Sequence, residues 1–139
     1  MNDEHYYSTH SVKVLIADDN EEFRTSLSQL IREQDGFEII AEAKNGREAL
    51  TLTQILTPDI VFLDISMPEM NGLDAAKAIK ESSPHTQIIF VTIHEERTYR
   101  AVAEFLPADG FISKAFLKLD LKNVLRKLKP TLPQPAVFQ

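Results

Sequence analysis

The sequence predicts an α/β protein built on a doubly wound, five-stranded parallel sheet with five helices. Five short apolar runs, rich in β-branched residues, alternate with stretches that carry apolar residues at helical spacing. The chain has 139 residues, of which 43% are hydrophobic and 26% are charged, which is typical of one globular domain. Alternating strands and helices form parallel sheets that are covered on both faces and joined by right-handed crossovers.

The first strand is predicted at residues 12–17, a short apolar run with β-branched side chains. Asn20 follows it and is a suitable N-cap for a helix with an apolar face. Gly36 stands where that helix should end, because glycine accepts the left-handed conformation of a helix C-terminus. The second strand is predicted at residues 37–43.

The middle of the chain contains the strand that we expect to be central. Asn45 caps the second predicted helix and Pro58 ends it. Residues 59–63 are almost wholly apolar, which is typical of a strand buried on both faces. A turn-rich loop at residues 66–72 precedes a short third helix.

The second half of the chain completes the alternation. The fourth strand is predicted at residues 87–91 and the fourth helix at 95–106. A turn signal precedes a short fifth strand at residues 111–112, and the last helix is predicted at 117–128.

These elements give the expected domain boundaries. The domain is predicted to span residues 12–129, after a flexible N-terminal extension at residues 1–11. Residues 130–139 contain three prolines in ten residues and should form an extended tail or linker.

Composition excludes several classes of function. The chain has no cysteine, which excludes disulfides, thiolate metal sites and a cysteine nucleophile. No apolar run approaches the ~20 residues of a membrane span, and the acidic N-terminus is unlike a signal peptide, so we expect a cytoplasmic protein with no membrane partner. The net charge of −6 argues against DNA binding by this chain alone.

Polar side chains collect where the predicted strands end. Asp18 and Asp19 follow the first strand, Asp64 the third, Thr92 the fourth and Lys114 the fifth. Ligands of open α/β sheets bind beyond the carboxyl ends of the strands, so these groups should meet at one edge. A single aspartate before a helix is more often a cap, but Asn20 already supplies that function.

Carboxylates held so close repel one another unless a cation neutralises them. Mg²⁺ prefers oxygen ligands, so Asp18, Asp19 and Asp64 are the predicted metal site, with the Ser66 backbone carbonyl as a further ligand. Such a site suits phosphoryl transfer to a carboxylate, with Asp64 as the nucleophile.

Four segments together resemble the receiver domain of two-component response regulators, over about residues 12–128. They are VLIADDN at 14–20, DIVFLDISMPEMNG at 59–72, IIFVT at 88–92 and ADGFISKAF at 108–116. The resemblance implies a flavodoxin-like strand order, 2-1-3-4-5. It also implies an acidic metal site at Asp18 and Asp19, a phosphoacceptor at Asp64 and a switch hydroxyl at Thr92. Lys114 would be the phosphoryl-contacting cation, and Phe111 matches the family's aromatic switch position.

The same resemblance implies the partners of the protein. A sensor histidine kinase or a phosphotransfer protein would donate the phosphoryl group. Dimerisation or release of an effector would be the output, through a surface formed by the fourth and fifth helices and the fifth strand, so a homodimer is one expected state. The finer pattern is most similar to receivers that precede a LuxR/NarL-type helix-turn-helix domain, and DNA would be bound only through such an effector, which residues 129–139 do not encode.

Two positions depart from the family pattern. Ala115 follows Lys114 where the family usually has a proline in a cis bond. A cis bond to alanine costs roughly 3 kcal/mol, so we expect either a trans bond with a shifted loop or a strained bond held by its surroundings. Ile93 is larger than the small residue of many receivers and is expected to narrow access to Asp64, whereas Ser66 and His94 are expected to tune hydrolysis of the acyl phosphate.

The alternative function is a small Mg²⁺-dependent phosphohydrolase with an aspartyl-phosphate intermediate. Such hydrolases place a second acid two residues after the nucleophile, and Ser66 occupies that position here. A flavin- or nucleotide-binding domain would need a first loop rich in small residues, whereas this loop is acidic.

Overall fold

The computed structural model describes residues 11–93 and 108–128, which contain one parallel sheet and its covering helices. The strands are β1 (Val12–Ala17), β2 (Phe37–Ala43), β3 (Ile60–Asp64), β4 (Gln87–Thr92) and β5 (Gly110–Ser113). The α-helices of the described ranges are α1 (Glu21–Arg32), α2 (Gly46–Leu56), α3 (Gly72–Ser82) and α4 (Leu117–Leu128), and one turn of 3-10 helix covers Lys114–Phe116.

The sheet has the order β2-β1-β3-β4-β5 with all neighbours parallel, which confirms the predicted doubly wound topology. The predicted strands and the described helices agree with the observed ones to within a few residues. The third strand begins at Ile60 and includes Asp64, so the aspartate is part of the sheet rather than of the loop after it. The helix predicted at residues 95–106 lies outside the described residues.

Helix α1 ends earlier than expected. Its last residue is Arg32, and Glu33 caps it through hydrogen bonds to carbonyl oxygens of the last turn. Gly36 therefore does not end the helix. It adopts a left-handed conformation (φ +91°) in the turn before β2, and its carbonyl accepts a hydrogen bond from the Val12 N–H at 2.7 Å.

Two apolar clusters, one on each face of the sheet, form the core. On one face, the strands pack against α1 and α4 through Leu27, Ile31, Leu121 and Leu125. On the other face, they pack against α2 and α3 through residues such as Ala49, Ala75 and Ile79. Every residue of β3 is buried, as expected of the central strand, so β3 holds its C-terminal aspartate in a rigid position.

Asparagines begin three of the helices. The side-chain oxygens of Asn20, Asn45 and Asn71 each accept a hydrogen bond from the backbone N–H three residues later, at 2.8–2.9 Å. The first two caps were predicted, and the third belongs to the loop after β3. Each cap satisfies a backbone N–H of the first helical turn that has no partner within the helix.

Thr57 caps the C-terminus of helix α2 and is a β-branched residue in the left-handed conformation (φ 45°, ψ 62°). This conformation costs a residue with a Cβ atom roughly 1–2 kcal/mol. We expect Thr57→Gly to raise the free energy of unfolding by about 0.5–1 kcal/mol, because glycine adopts the conformation without strain. Urea denaturation measures the difference. Thr51→Gly, at an exposed position inside α2, is the matched control and should lower stability by about 0.5 kcal/mol. Equal losses for both variants would contradict the strain at Thr57.

Candidate functional site

The carboxyl ends of β1, β3, β4 and β5 meet at one edge of the sheet, and the predicted polar residues lie there. Carboxylate oxygens of Asp18, Asp19 and Asp64 all lie within 4.8 Å of one another. Thr92 ends β4 and is buried, and in the sheet register it pairs with Ser113, the residue before Lys114. The structure therefore brings the predicted acidic residues together, with the lysine beside them.

Asp18 is held by contacts on all sides of its backbone and carboxylate. Its N–H donates to the Ala43 carbonyl at 3.0 Å, which continues the β1–β2 ladder. Its carbonyl oxygen accepts a hydrogen bond from Arg24 Nη1 at 2.7 Å, and Arg24 Nε in turn contacts Glu42 at 3.0 Å. The Oδ1 atom of Asp18 accepts from the Asn20 N–H at 2.8 Å. The side chain of Asp18 is buried, whereas that of Asp19 is exposed.

Asp64 lies at the end of β3 with its side chain buried, and the backbone N–H of Ser66 donates to its carboxylate. A Cβ atom on Gly72 would lie 2.1 Å from the Asp64 carbonyl oxygen, so only glycine allows α3 to begin against this strand. The Gly72 N–H donates to the Ile65 carbonyl at 2.8 Å. The start of α3 and the end of β3 thus support each other.

The loop between β3 and α3 is held against the start of α2. A Cβ atom on Gly46 would lie 2.0 Å from the Met70 carbonyl oxygen, so this approach also requires glycine. Glu69 adopts a positive φ of 64°, and its carboxylate accepts a hydrogen bond from Asn45 Nδ2 at 3.2 Å. Ser66 lies beside the acidic cluster, because its N–H donates to the Asp64 carboxylate. That its carbonyl binds a metal stays a prediction.

The Lys114 ammonium lies among the carboxylates, with Nζ 2.7 Å from Asp18 Oδ2 and 3.8 Å from Asp64 Oδ2. No cis peptide bond occurs in the described residues, so the bond between Lys114 and Ala115 is trans. The trans bond of the first predicted alternative is confirmed, and the shift of the loop stays a prediction. The lysine begins a 3-10 turn that Ser113 caps, and its ammonium reaches the acidic cluster from that turn.

Burial and neighbouring charge shift the pKa of Asp64. The pKa of Asp64 rises from 3.8 to about 6; burial of the carboxylate is the largest cause, and the negative charge of Asp18 is the second. The Lys114 charge and the Ser66 N–H act in the opposite direction, and Asp19 adds a smaller upward contribution. The buried negative charge is therefore only partly compensated by the protein itself.

The cluster fits a hard divalent cation. Its donors are all carboxylate oxygens, which such cations prefer to nitrogen or sulfur. Within the described ranges, the buried Oδ2 atom of Asp18 accepts no hydrogen bond of good geometry, although the Lys114 ammonium forms an ion pair with it. Asp18 Oδ2 thus has the Lys114 ammonium as its charged neighbour, and Asp18, Asp19 and Asp64 are the residues that could hold the ion.

Three further positions were predicted to act at the site, namely Phe111, Ile93 and His94. Phe111 in β5 is half-buried, and its ring stacks on that of Phe90 with 6.0 Å between the centroids. Ile93 is 70% exposed, and whether it narrows access to Asp64 stays a prediction. His94 lies outside the described residues.

Sequence reasoning missed two contacts of the site. Arg24 was not singled out, because nothing in its spacing indicates a hydrogen bond to the Asp18 carbonyl. Phe23 was assigned to the apolar face of its helix, and its ring also lies 4.4 Å from the Lys114 ammonium. The spacing from the Asn20 cap was the available signal, because the N3 position of a capped helix lies close to the preceding loop.

None of the described helices combines the length and the apolar character required to cross a bilayer.

Comparison with known proteins agrees with this geometry. The family model for the response regulator receiver domain matches residues 14–126. An uncharacterised response regulatory protein of Yersinia pestis is 45% identical over 94 residues, which are 67% of this chain and 39% of that protein. The chain spans about 28–39% of the length of the first curated relatives that it matches.

Solved structures show the same fold. The receiver domain of AraT from Geobacillus stearothermophilus is 35% identical, with a TM-score of 0.77 over 85% of this chain and 92% of that one. A DNA-binding response regulator of the LuxR family from Staphylococcus aureus is 30% identical, with a TM-score of 0.77 over 84% of this chain and 98% of that one. The chain belongs to the response regulator receiver domain family, and its relatives include regulators of the LuxR/NarL type.

Proposed function

We propose that this receiver domain accepts a phosphoryl group on Asp64 and uses Mg²⁺ held by Asp18, Asp19 and Asp64. The observation that carries the proposal is the meeting of three carboxylates within 4.8 Å beside one ammonium group. An anionic nucleophile and an anionic phosphoryl donor repel each other, and a site of this composition offsets that repulsion. The Ser66 carbonyl is the proposed additional metal ligand.

In the proposed reaction, a carboxylate oxygen of Asp64 attacks the phosphorus atom of the donor. The bond between phosphorus and the donor breaks, the donor keeps the electron pair of that bond, and an acyl phosphate forms on Asp64. Lys114 would neutralise charge on the transferred group, and the Thr92 hydroxyl would donate to one of its oxygens. Bound Mg²⁺ would supply charge neutralisation for the incoming phosphoryl oxygens.

The added charge would act as the signal. A phosphoryl group carries up to about two negative charges and three acceptor oxygens, and would draw Thr92 and Lys114 toward it. Phe111 would change its packing as Thr92 moves, which would alter the surface around β5. Relatives include DNA-binding regulators of the LuxR family. We therefore propose that phosphorylation controls either dimerisation or an effector domain that regulates transcription. The cytoplasmic location expected from the sequence stays a prediction.

The phosphohydrolase alternative is disfavoured. Family membership supports the receiver, and Ser66 stands where such a hydrolase needs a carboxylic acid. The receiver is a signalling domain that catalyses phosphoryl transfer onto itself.

The phosphoacceptor is tested by intact mass after incubation with acetyl phosphate and Mg²⁺. We expect a gain of one phosphoryl group, about 80 Da, in the wild type and none in Asp64→Asn, because an amide is not a nucleophile of this kind. Omission of Mg²⁺ should abolish the gain. An equal gain in the variant would contradict Asp64 as the acceptor. A wild type that binds Mg²⁺ without gaining mass would indicate blocked access near Ile93 or a misplaced Lys114 ammonium.

The raised pKa of Asp64 predicts a pH-dependent stability in metal-free buffer. The folded-state pKa of about 6 lies above the unfolded value of 3.8, so the folded protein binds more protons between these values. The free energy of unfolding therefore falls as the pH rises from about 4 to about 7, by at most about 3 kcal/mol from this group. Asp64→Asn should lack this loss, so its stability relative to wild type rises over the same range.

Urea denaturation in a chelator buffer at several pH values measures this difference. Added Mg²⁺ should recover much of the wild-type loss, because the ion neutralises the ionised carboxylate. A stability difference between the two proteins that does not change with pH would show that Asp64 keeps an ordinary pKa.

A groove of about 660 Å³ beside Lys114 is the proposed docking surface for a phosphodonor protein. Residues of α1, including Leu30, form one wall, and residues 114–119 form the other. Phe116 and Leu119 are 65% and 62% exposed there, although large apolar side chains are costly to leave in water. A donor that brings phosphohistidine to Asp64 would cover this groove, because Lys114 belongs both to the groove and to the acidic cluster.

We expect Leu119→Ser to slow phosphorylation by a phosphohistidine phosphotransfer protein about five- to thirtyfold, because an apolar anchor of the interface is lost. Phosphorylation by acetyl phosphate should not change, since this small donor needs no docking surface. Ile55→Ser is the matched control: Ile55 is 69% exposed on α2, outside the groove. Equal slowing by both substitutions, or slowing with acetyl phosphate, would refute the assignment of this surface.

A further inference from the structure

Phe23 lies in the first turn of α1 with its ring next to the Lys114 ammonium. The Nζ atom is 4.4 Å from the centre of the ring, which is within the range of a cation–π contact. Phe23 is half-buried and packs against the apolar cluster between the sheet, α1 and α4. The ring is therefore a fixed surface, whereas the lysine is a flexible chain.

Phe23 belongs to a closed series of contacts that begins and ends at Asp18. Asp18 Oδ1 accepts a hydrogen bond from the Asn20 N–H at 2.8 Å, and Asn20 Oδ1 accepts one from the Phe23 N–H at 2.8 Å. The Phe23 ring contacts Lys114, and Lys114 Nζ lies 2.7 Å from Asp18 Oδ2. The residues that cap α1 thus also place the ring under the ammonium.

Hydrogen bonds of the neighbouring residues fix the backbone at Lys114, far from the ammonium group at the end of its side chain. The Ser113 hydroxyl accepts a hydrogen bond from the Ala115 N–H at 3.2 Å, and the Ser113 N–H donates to Asp120 at 2.9 Å. These contacts fix the turn but not the four-carbon side chain beyond it. Ala115 allows a trans bond and has none of the ring constraint of a proline. Contacts at the tip must then decide where the ammonium lies.

An aromatic face suits this task because it offers no hydrogen-bond acceptor. A carboxylate in the place of the ring would engage one of the three N–H groups of the lysine and compete with the transferred phosphoryl group. The ring attracts the cation and leaves those donors free for Asp18, Asp64 and the incoming oxygens.

We infer that Phe23 is a positioning residue that holds the Lys114 ammonium at the acidic cluster through its aromatic face. The inference depends on the proposed phosphoacceptor function for its kinetic consequence, but not for the contact itself. Phe23 contacts neither the phosphoryl donor nor a metal in this assignment and acts only through Lys114.

The kinetic test compares Phe23→Leu, which keeps an apolar side chain, with Phe23→Tyr, which keeps the aromatic face. We expect Phe23→Leu to lower the rate of phosphorylation by acetyl phosphate about three- to tenfold at saturating Mg²⁺, and Phe23→Tyr to stay within about twofold of wild type. Mg²⁺ affinity should be retained in both, because the metal-binding aspartates are unchanged. Phe37→Leu is the matched control. Phe37 packs against the same apolar cluster but begins strand β2, away from the carboxyl ends of the strands. Its substitution should leave the phosphorylation rate within about twofold of wild type.

A Lys114→Met background shows whether the effect passes through the lysine. Phe23→Leu should cause no further loss of rate there. An unchanged rate in Phe23→Leu, an equal loss in Phe23→Tyr, a parallel loss of Mg²⁺ affinity, or a full further loss in the Lys114→Met background would each overturn the inference.

A spectroscopic measurement separates the inference from the proposed function. In the unphosphorylated protein, the ring should shift the NMR signals of the Lys114 Hε protons upfield, and Phe23→Leu should remove this shift while Phe23→Tyr keeps it. A wild type that neither binds Mg²⁺ nor accepts a phosphoryl group would overturn the proposed function alone. Lys114 signals that are the same in the wild type and in Phe23→Leu would overturn the inference, whatever the phosphorylation result.

Discussion

The repulsion among three carboxylates at one edge of the sheet is the constraint on which the rest of the site depends. Asp18 and Asp64 are buried, and the Lys114 ammonium lies 2.7 Å from the first carboxylate and 3.8 Å from the second. Burial of the carboxylate and, after it, the negative charge of Asp18 raise the pKa of Asp64 to about 6, and the Lys114 charge offsets only part of this rise. The site therefore favours binding of a cation, and an anion is expected to bind only after that cation is in place. In this sense the electrostatics order the proposed events, with the divalent ion first and the phosphoryl group second.

The packing of the sheet and helices keeps the carboxylates close together despite their repulsion. Asp64 ends a strand that is buried on both faces, and the start of α3 closes on its carbonyl at a position only glycine can occupy. Asp18 is fixed by its N–H on the Ala43 carbonyl of β2, by Arg24 on its own carbonyl oxygen and by the Asn20 N–H on its carboxylate. Each anchor is local, but all of them rely on the parallel order that brings four strand ends to the same edge. Packing energy of the core thus sustains an arrangement that is electrostatically unfavourable in itself.

Much of this was predictable from sequence, for physical reasons that differ between fold and site. Hydrophobic periodicity and the Asn20 and Asn45 caps predict the elements, because burial and capping act over short distances along the chain. Polar residues that follow parallel strands lie at the same end of the sheet, and this rule predicts which of them meet. The missing information concerns side-chain direction and exceptional backbone conformation. Nothing in the sequence indicates that Thr57 and Glu69 adopt a positive φ, or that Arg24 turns back to the Asp18 carbonyl. Such features depend on neighbours distant in sequence.

Ala115 illustrates how a local departure is absorbed by tertiary contacts. With a trans bond at this position, the turn after β5 takes a 3-10 form, and the Lys114 backbone is fixed by Ser113 and Asp120 rather than by a proline ring. The ammonium still reaches the carboxylates, because the long side chain extends from the turn to the acidic cluster. There the ammonium contacts the Phe23 ring and the Asp18 carboxylate. The position of the Lys114 ammonium thus depends on residues of α1 as well as on the end of β5. Movement of Lys114 toward a phosphoryl group would loosen its contact with Asp18, and the first helix would then sense the modification directly.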